Sequence, residues 1–134
     1  LADTQDNPGA GGNSDTVGIL AELIRQDAPD AVLGLLHDPA TAAAAHGAGV
    51  GAALDRAIGN VSGVLGFAPL AGRWRVEALS DGEFDATGPM YKGFHMKLGP
   101  MAVLRAESGR RGVRVVVASR KQQAADQAVF AHIG

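Results

Sequence analysis

The chain of 134 residues has no cysteine. That excludes disulfides, thiolate nucleophiles and cysteine-ligated metals. Aromatic residues make up only 4% of it, so a core has to be built from Ala, Val, Leu and Ile. No basic excess exists. The formal net charge is −2, which leaves no positive field for nucleic acid or an anionic membrane surface. No apolar run is long enough to span a bilayer. No Lys/Arg head precedes an apolar segment at the N-terminus, so no secretory signal is visible. A cytoplasmic location is the expectation.

Several reaction signatures are missing too. His37, His46, His95 and His132 are scattered, with no His-x-x-x-His spacing, so no complete metal site is expected within the chain. Asp38 beside His37 reads more simply as a helix cap. No serine stands in a Gly-x-Ser-x-Gly context. Ser80-Asp81-Gly82 reads as a hairpin turn.

What is present is a globular balance, 46% hydrophobic and 19% charged, in a length that suits one domain, residues 1–134. Nineteen residues are glycine, and three stand in the opening loop, Asp6-Asn7-Pro8-Gly9-Ala10-Gly11-Gly12-Asn13. Gly9, Gly11 and Gly12 allow backbone angles that other residues resist. Glycines running into a helix N-terminus are a recipe for an anion site. The Walker pattern, however, needs a Lys-Ser/Thr where this chain has Asn13-Ser14-Asp15, and Asp3, Asp6 and Asp15 would repel phosphate. A capped turn, an anion-binding loop, and a loop lining a site built mostly elsewhere all stay open.

The periodicity predicts a helix over residues 14–27, capped by Ser14 or Asp15, with Ile19, Leu20, Leu23 and Ile24 on its apolar face. A buried strand follows over 31–37. Asp38-Pro39 then opens a second helix that ends near His46-Gly47. Residues 50–59 fit helix by propensity; a strand is favoured only by the resemblance described below. Residues 59–73 read as Gly-rich loop. Alternating strands are expected over 73–78 and 92–98. Two further strands, 101–106 and 113–118, flank the charged loop Glu107-Ser108-Gly109-Arg110-Arg111-Gly112. A short helix over 126–132 ends the pattern. The fold class is α+β: a helical, α/β-like front portion, then an antiparallel β-rich portion of barrel or sandwich type. Arg105, Arg110, Arg111, Arg114 and Arg120 read as a solvated hairpin face. Ser119-Arg120-Lys121-Gln122, at the end of an apolar strand, is a place for site groups.

The order of these motifs is similar to a known family. Asp3-Thr4-Gln5-Asp6-Asn7-Pro8-Gly9-Ala10-Gly11-Gly12, Asp15-Thr16, Asp38-Pro39-Ala40 and Gly47-Ala48-Gly49-Val50-Gly51 come in turn. Leu79-Ser80-Asp81-Gly82-Glu83-Phe84, Thr87-Gly88-Pro89-Met90, Leu98-Gly99-Pro100 and Ala118-Ser119-Arg120, with Gln123 and Phe130, follow. Together they resemble the C-terminal domain of the MlrC-like (microcystinase) zinc metallopeptidases over nearly the whole chain. The resemblance implies the back part of a longer chain, trimmed at both ends, which begins here at Leu1 rather than Met. It implies zinc in the parent protein, bound by a preceding domain rather than by this chain alone, and a peptide-like substrate. Asp3, Asp6, Asn7, Gly9, Gly11 and Gly12 would then lie towards the active-site cleft, shaping or contacting it without binding metal. No catalytic residue carries over. A missing final segment would bare a sheet edge, so a homo-oligomer is a further expectation. Two other functions stand beside the hydrolase-domain reading: a stand-alone small-anion module using the Gly-rich loop, and a structural or oligomerisation domain.

Overall fold

The structure is a computed structural model and describes residues 3–134. The elements in chain order are a 3₁₀ turn (Pro8–Ala10), α1 (Gly18–Arg25), β1 (Val32–His37), α2 (Pro39–Ala48), β2 (Ala53–Ile58), β3 (Leu70–Ser80), β4 (Glu83–Asp85), β5 (His95–Lys97), β6 (Met101–Ala106), β7 (Arg114–Ala118) and α3 (Ala128–Ile133). Five strands form one sheet in the order β1-β7-β6-β3-β2, and β4 and β5 form a separate ribbon.

The sheet is mixed. β1 runs parallel to β7, with Val32 opposite Arg114 and His37 opposite Ala118, while all other pairs are antiparallel. The α+β class stands, but the sheet is open, with β1 and β2 at its two ends, and no barrel closes. The physical reason is legible in β6 and β7. Their sequences, MAVLRA and RVVVA, are buried almost without interruption. Such strands are covered on both faces. Alternate residues divide between two cores. Val76, Ala102, Leu104, Val115 and Val117 meet Leu20 of α1 and Ala42 and Ala45 of α2. Met101, Val103, Val116 and Ala118 meet Val129 and Ile133 of α3, with Phe84 and Met96 of the ribbon packed alongside. Helices thus lie on both faces, and the front portion is not a separate layer: it supplies both end strands. Residues 53–58 are strand, paired with β3 from Ala53–Arg75 to Ile58–Leu70.

Few aromatics fill the core, and Trp74 is the largest buried side chain, with 1% of its surface exposed. Its indole N–H donates to the Arg56 carbonyl at 3.1 Å, which meets the polar requirement of a buried indole. Arg73, Arg75, Arg105 and Arg114 on the strands are ion-paired rather than merely solvated. Glu77 bridges Arg105 at 2.8 Å and Arg114 at 2.6 Å, and Glu107 bridges Arg73 and Arg75.

Asp38 behaves as a cap and does more. Its carboxylate accepts from the Thr41 N–H at 2.9 Å and from the Thr41 hydroxyl at 2.6 Å. It also accepts from the Gly59 N–H at 3.0 Å, while the Asp38 N–H donates to the Ala118 carbonyl at 3.1 Å. One buried residue therefore ties the start of α2 to the ends of β2 and β7. Asp38→Ala strands two buried donors and removes the cap. It is expected to lower unfolding free energy by about 3 kcal/mol, measured by urea denaturation; a loss under about 0.5 kcal/mol would contradict this account.

Candidate functional site

The opening loop is organised by one carboxylate. Asp6 Oδ1 accepts from the N–H groups of Asn13 at 2.7 Å and Ser14 at 2.9 Å. Its Oδ2 accepts from Asp15 at 2.7 Å and Thr16 at 2.8 Å. Four successive backbone donors thus converge on one side chain. Burial raises the Asp6 pKa, but the hydrogen bonds from Thr16, Ser14 and Asp15 outweigh it and hold the carboxyl below its ordinary value of 3.8. The donors that would make an anion site already hold an anion, and it belongs to the chain.

This cradle also shortens the first helix. The expected start at Ser14 or Asp15 gives way to Gly18, with Val17 at the cap position and no side-chain cap. Residues 13–16 are spent on Asp6, and Ser14 takes a positive φ of 58°. Asp15 is fully buried. Its Oδ2 accepts from the Ser62 N–H at 2.7 Å, and its Oδ1 has no hydrogen-bond partner among the described residues.

The three loop glycines serve different ends. Gly11 has a φ of 92°, which few other residues adopt, and closes the 3₁₀ turn. Gly12 is needed for space: a Cβ there would lie 2.6 Å from the Asp6 carbonyl carbon and 2.8 Å from Asn7 N. Gly9 lies under the Gln123 side chain, where a Cβ would collide. Asn7 Oδ1 accepts from the Gly9 N–H at 2.9 Å, and Asp3 Oδ1 from the Gln5 N–H at 3.0 Å.

Beside the loop runs a groove of about 600 Å³. Asp3, Asp6, Asn7 and Pro8 line it, with Ile19 and Leu23 of α1, residues 30–36 along β1, residues 122–124, and Phe130. A smaller hollow of about 190 Å³, touching Pro8, Gly9, Tyr91 and residues 121–123, adjoins the same loop. Neither is lined by Gly11, Gly12, Ser119 or Arg120. Ser119 Oγ donates to the Pro100 carbonyl at 2.7 Å, and the Arg120 N–H to Leu98 O at 2.9 Å. These two fasten the β5–β6 corner, and the next residues, Gln122 and Gln123, reach the groove instead. Ile19 and Leu23 read from the sequence only as a helix's apolar face, and Phe130 only as part of the family pattern, so none was marked as a wall.

Among the described residues, no group of three His, Asp or Glu side chains is placed to hold a metal ion. A resident metal does not fit the residues present. Three histidines have other partners. His46 contacts the Met101 carbonyl at 2.9 Å, His95 the Asp85 carboxylate at 2.8 Å, and His132 the Ser80 hydroxyl at 2.5 Å. Ser80 Oγ also accepts from the Gly82 N–H at 2.9 Å, and its contact with His132 links α3 to the β3–β4 turn. The pair is not completed into a triad: the nearby Asp81 carboxylate lies 3.5 Å from the same ring nitrogen, Nε2. No helix is long and apolar enough to cross a membrane among the described residues.

The described residues form a mixed sheet with helices on both faces and a groove at its β1 end, flanked by a Gly-rich loop. The comparisons give the family. The model described as "MlrC C-terminus" matches residues 1–134, and the chain belongs to that family. The fold is similar to a crystal structure described as a "putative metallopeptidase" from Mesorhizobium sp. BNC1, with a TM-score of 0.82 and 27% identity. That match covers 100% of this chain and 26% of the other, so this chain spans about a quarter of its neighbour's length. No curated protein matches it.

Asp6→Asn replaces two oxygens that accept four N–H groups with one oxygen and an NH₂ that faces donors. A loss of about 2–3 kcal/mol is expected. Because the Asp6 pKa is lowered on folding, its contribution is present above the ordinary carboxylate value and is lost as pH falls through the folded-state value. Urea midpoints between pH 6 and pH 2 should therefore fall less steeply in Asp6→Asn than in the parent chain. Parallel curves would refute this role. Gly12→Ala, with its methyl against backbone, is expected to cost about 1–3 kcal/mol in the same assay.

Proposed function

We propose that this chain is the C-terminal domain of a zinc-dependent peptide or amide hydrolase resembling microcystinase, in which it forms one wall of the active-site cleft. The observation that carries this reading is the family match over residues 1–134, joined to a fold match over the whole chain to a quarter of a metallopeptidase-like protein. The metal site then belongs to residues outside this chain, in keeping with the donor sets found here. On this reading the wall is the Asp6 loop. Its backbone is fixed by four hydrogen bonds, and a rigid surface suits substrate positioning. Asp3, Asn7 and Gly9 lie on its accessible side, on the groove or the adjoining hollow. Asp6 supports the wall from within, with Gly11 and Gly12 shaping its turn. Ser119 and Arg120 are assigned to the cleft only through the β5–β6 corner that they fasten. A linear peptide is the substrate class.

The stand-alone anion module is the weaker reading, because Asp6 takes the N–H groups that an external anion would use. Metal analysis separates the readings. After exposure to micromolar zinc and dialysis, the full-length gene product is expected to retain stoichiometric zinc and to cleave linear peptides in a chelator-sensitive way, and residues 1–134 alone to retain none. Stoichiometric zinc on residues 1–134, or a metal-free full-length protein, would overturn the proposal.

A further inference from the structure

The groove has a feature that a substrate wall does not need. It straddles the end of the sheet. Leu23 and Leu36 pack with the core under α1 and α2, while Leu35 and Phe130 pack with the core under α3, and all four line the groove. A cavity that touches both faces of a sheet opens on its edge, and β1 is the end strand.

That edge is half used. Ser14 covers the second part of β1: its hydroxyl donates to the Leu35 carbonyl at 2.8 Å and its carbonyl accepts from the His37 N–H at 2.6 Å. Among the described residues the first part has no such cover. Ala31 gives its carbonyl to the Arg114 N–H at 3.0 Å, towards β7. Alternation then turns the backbone groups of Val32 outward, and those of Gly34 after them. The register shift between Gly34 and Leu36 keeps the outward set continuous with Leu35 and His37. Two outward residues, one apart, present the donors and acceptors that a paired strand uses. Apolar side chains flank them: Val32 is 51% exposed and Ile19 37%.

We propose that residues 32–34 of β1 pair with an extended segment from the preceding part of the same polypeptide, which adds a sixth strand to the sheet. This rests on the reading of the chain as a C-terminal domain. The occupant follows from where the chain enters. Asp3, Asn7 and Pro8 lie on the groove wall, so a polypeptide arriving from upstream reaches the domain at this groove. In the Mesorhizobium neighbour most of the chain lies outside the match. A segment tethered to the same polypeptide by a short linker sits at about millimolar effective concentration, which outcompetes a free peptide or a second copy. Both faces of the added strand meet apolar walls, Ile19 and Leu23 on one and Phe130 on the other. The segment therefore carries neighbouring apolar residues at its centre. Asp3 and Asp30 on the lining favour basic residues at its ends.

Hydrogen exchange resolved to single amides, on the metal-loaded full-length protein without added peptide, tests this. The Val32 and Gly34 amides are expected to exchange about a hundredfold or more below the free rate, independently of protein concentration. Val32→Pro removes one outward N–H and leaves the β7 ladder in place. It should speed exchange at Gly34 about tenfold or more while Leu104 and Val116 in the core stay protected. If Val32→Pro fails to fold, the wild-type measurement decides alone. Free exchange in the wild type would overturn the proposal. So would protection that grows with protein concentration, which would indicate a second copy, or that appears only with an added peptide, which would indicate substrate. Protection at Gly34 that a folded Val32→Pro leaves unchanged would mean that the groove is covered without strand pairing. Metal content of the same sample keeps the two readings apart: bound zinc with free exchange removes only this inference, and absent zinc removes the hydrolase reading.

Discussion

A single carboxylate with four backbone donors governs the front of this molecule. The N–H groups of residues 13–16 converge on Asp6, and Ser14 there takes a positive φ of 58°, which a right-handed helix does not accommodate. The helix therefore starts late, at Gly18, and the freed segment does other things. Ser14 reaches the edge of β1. The Asp15 side chain holds Ser62, and its carbonyl accepts from the Asn60 N–H at 2.6 Å. In effect, a loop carries out the alignment that a longer helix would have prevented. Charge-assisted bonds of this kind are stronger than neutral ones, and here four share one acceptor group.

The same arrangement bears on the anion-binding reading of the loop. A Gly-rich loop before a helix suggests an external anion. Once the anion is intramolecular, the loop becomes a fixed surface, and its outer side faces a groove rather than a phosphate. The family match and the fold match place the chain among MlrC C-terminal domains, alike in fold to about a quarter of a larger neighbour.

Much of the architecture could be read from the residues. Asp38-Pro39 is a strong start signal and opens α2 as expected. The paired strands 101–106 and 114–118 follow from two apolar runs around a charged loop. Three things escaped. The late start of α1 depends on a hydrogen-bond acceptor seven to ten residues upstream, which no local window contains. The openness of the sheet depends on β1 choosing β7 as a parallel neighbour, a long-range pairing without a local signature; the unbroken burial of β6 and β7 was the available hint. The third escaped only the propensities: residues 53–58 have helix-favouring Ala, Leu and Arg, while the family resemblance favoured the strand that forms by pairing with β3. For the candidate site, the polar residues of the loop were visible and its apolar walls were not. Ser119 and Arg120 attracted attention as a strand end, yet the chain passes two residues further before it meets the groove.

The parallel pairing of β1 with β7 also bears on the order of events as the chain is made. Val32 meets Arg114, and His37 meets Ala118. During synthesis β1 leaves the ribosome long before its neighbour exists. β2 and β3 can pair early, and β6 can join β3, but the strand that carries the groove has no place in the sheet until residues 114–118 emerge. Contacts of such sequence separation close slowly. An apolar segment between α1 and α2 thus waits through most of translation without its partner, and the groove, whatever comes to fill it, is among the last parts of the domain to exist.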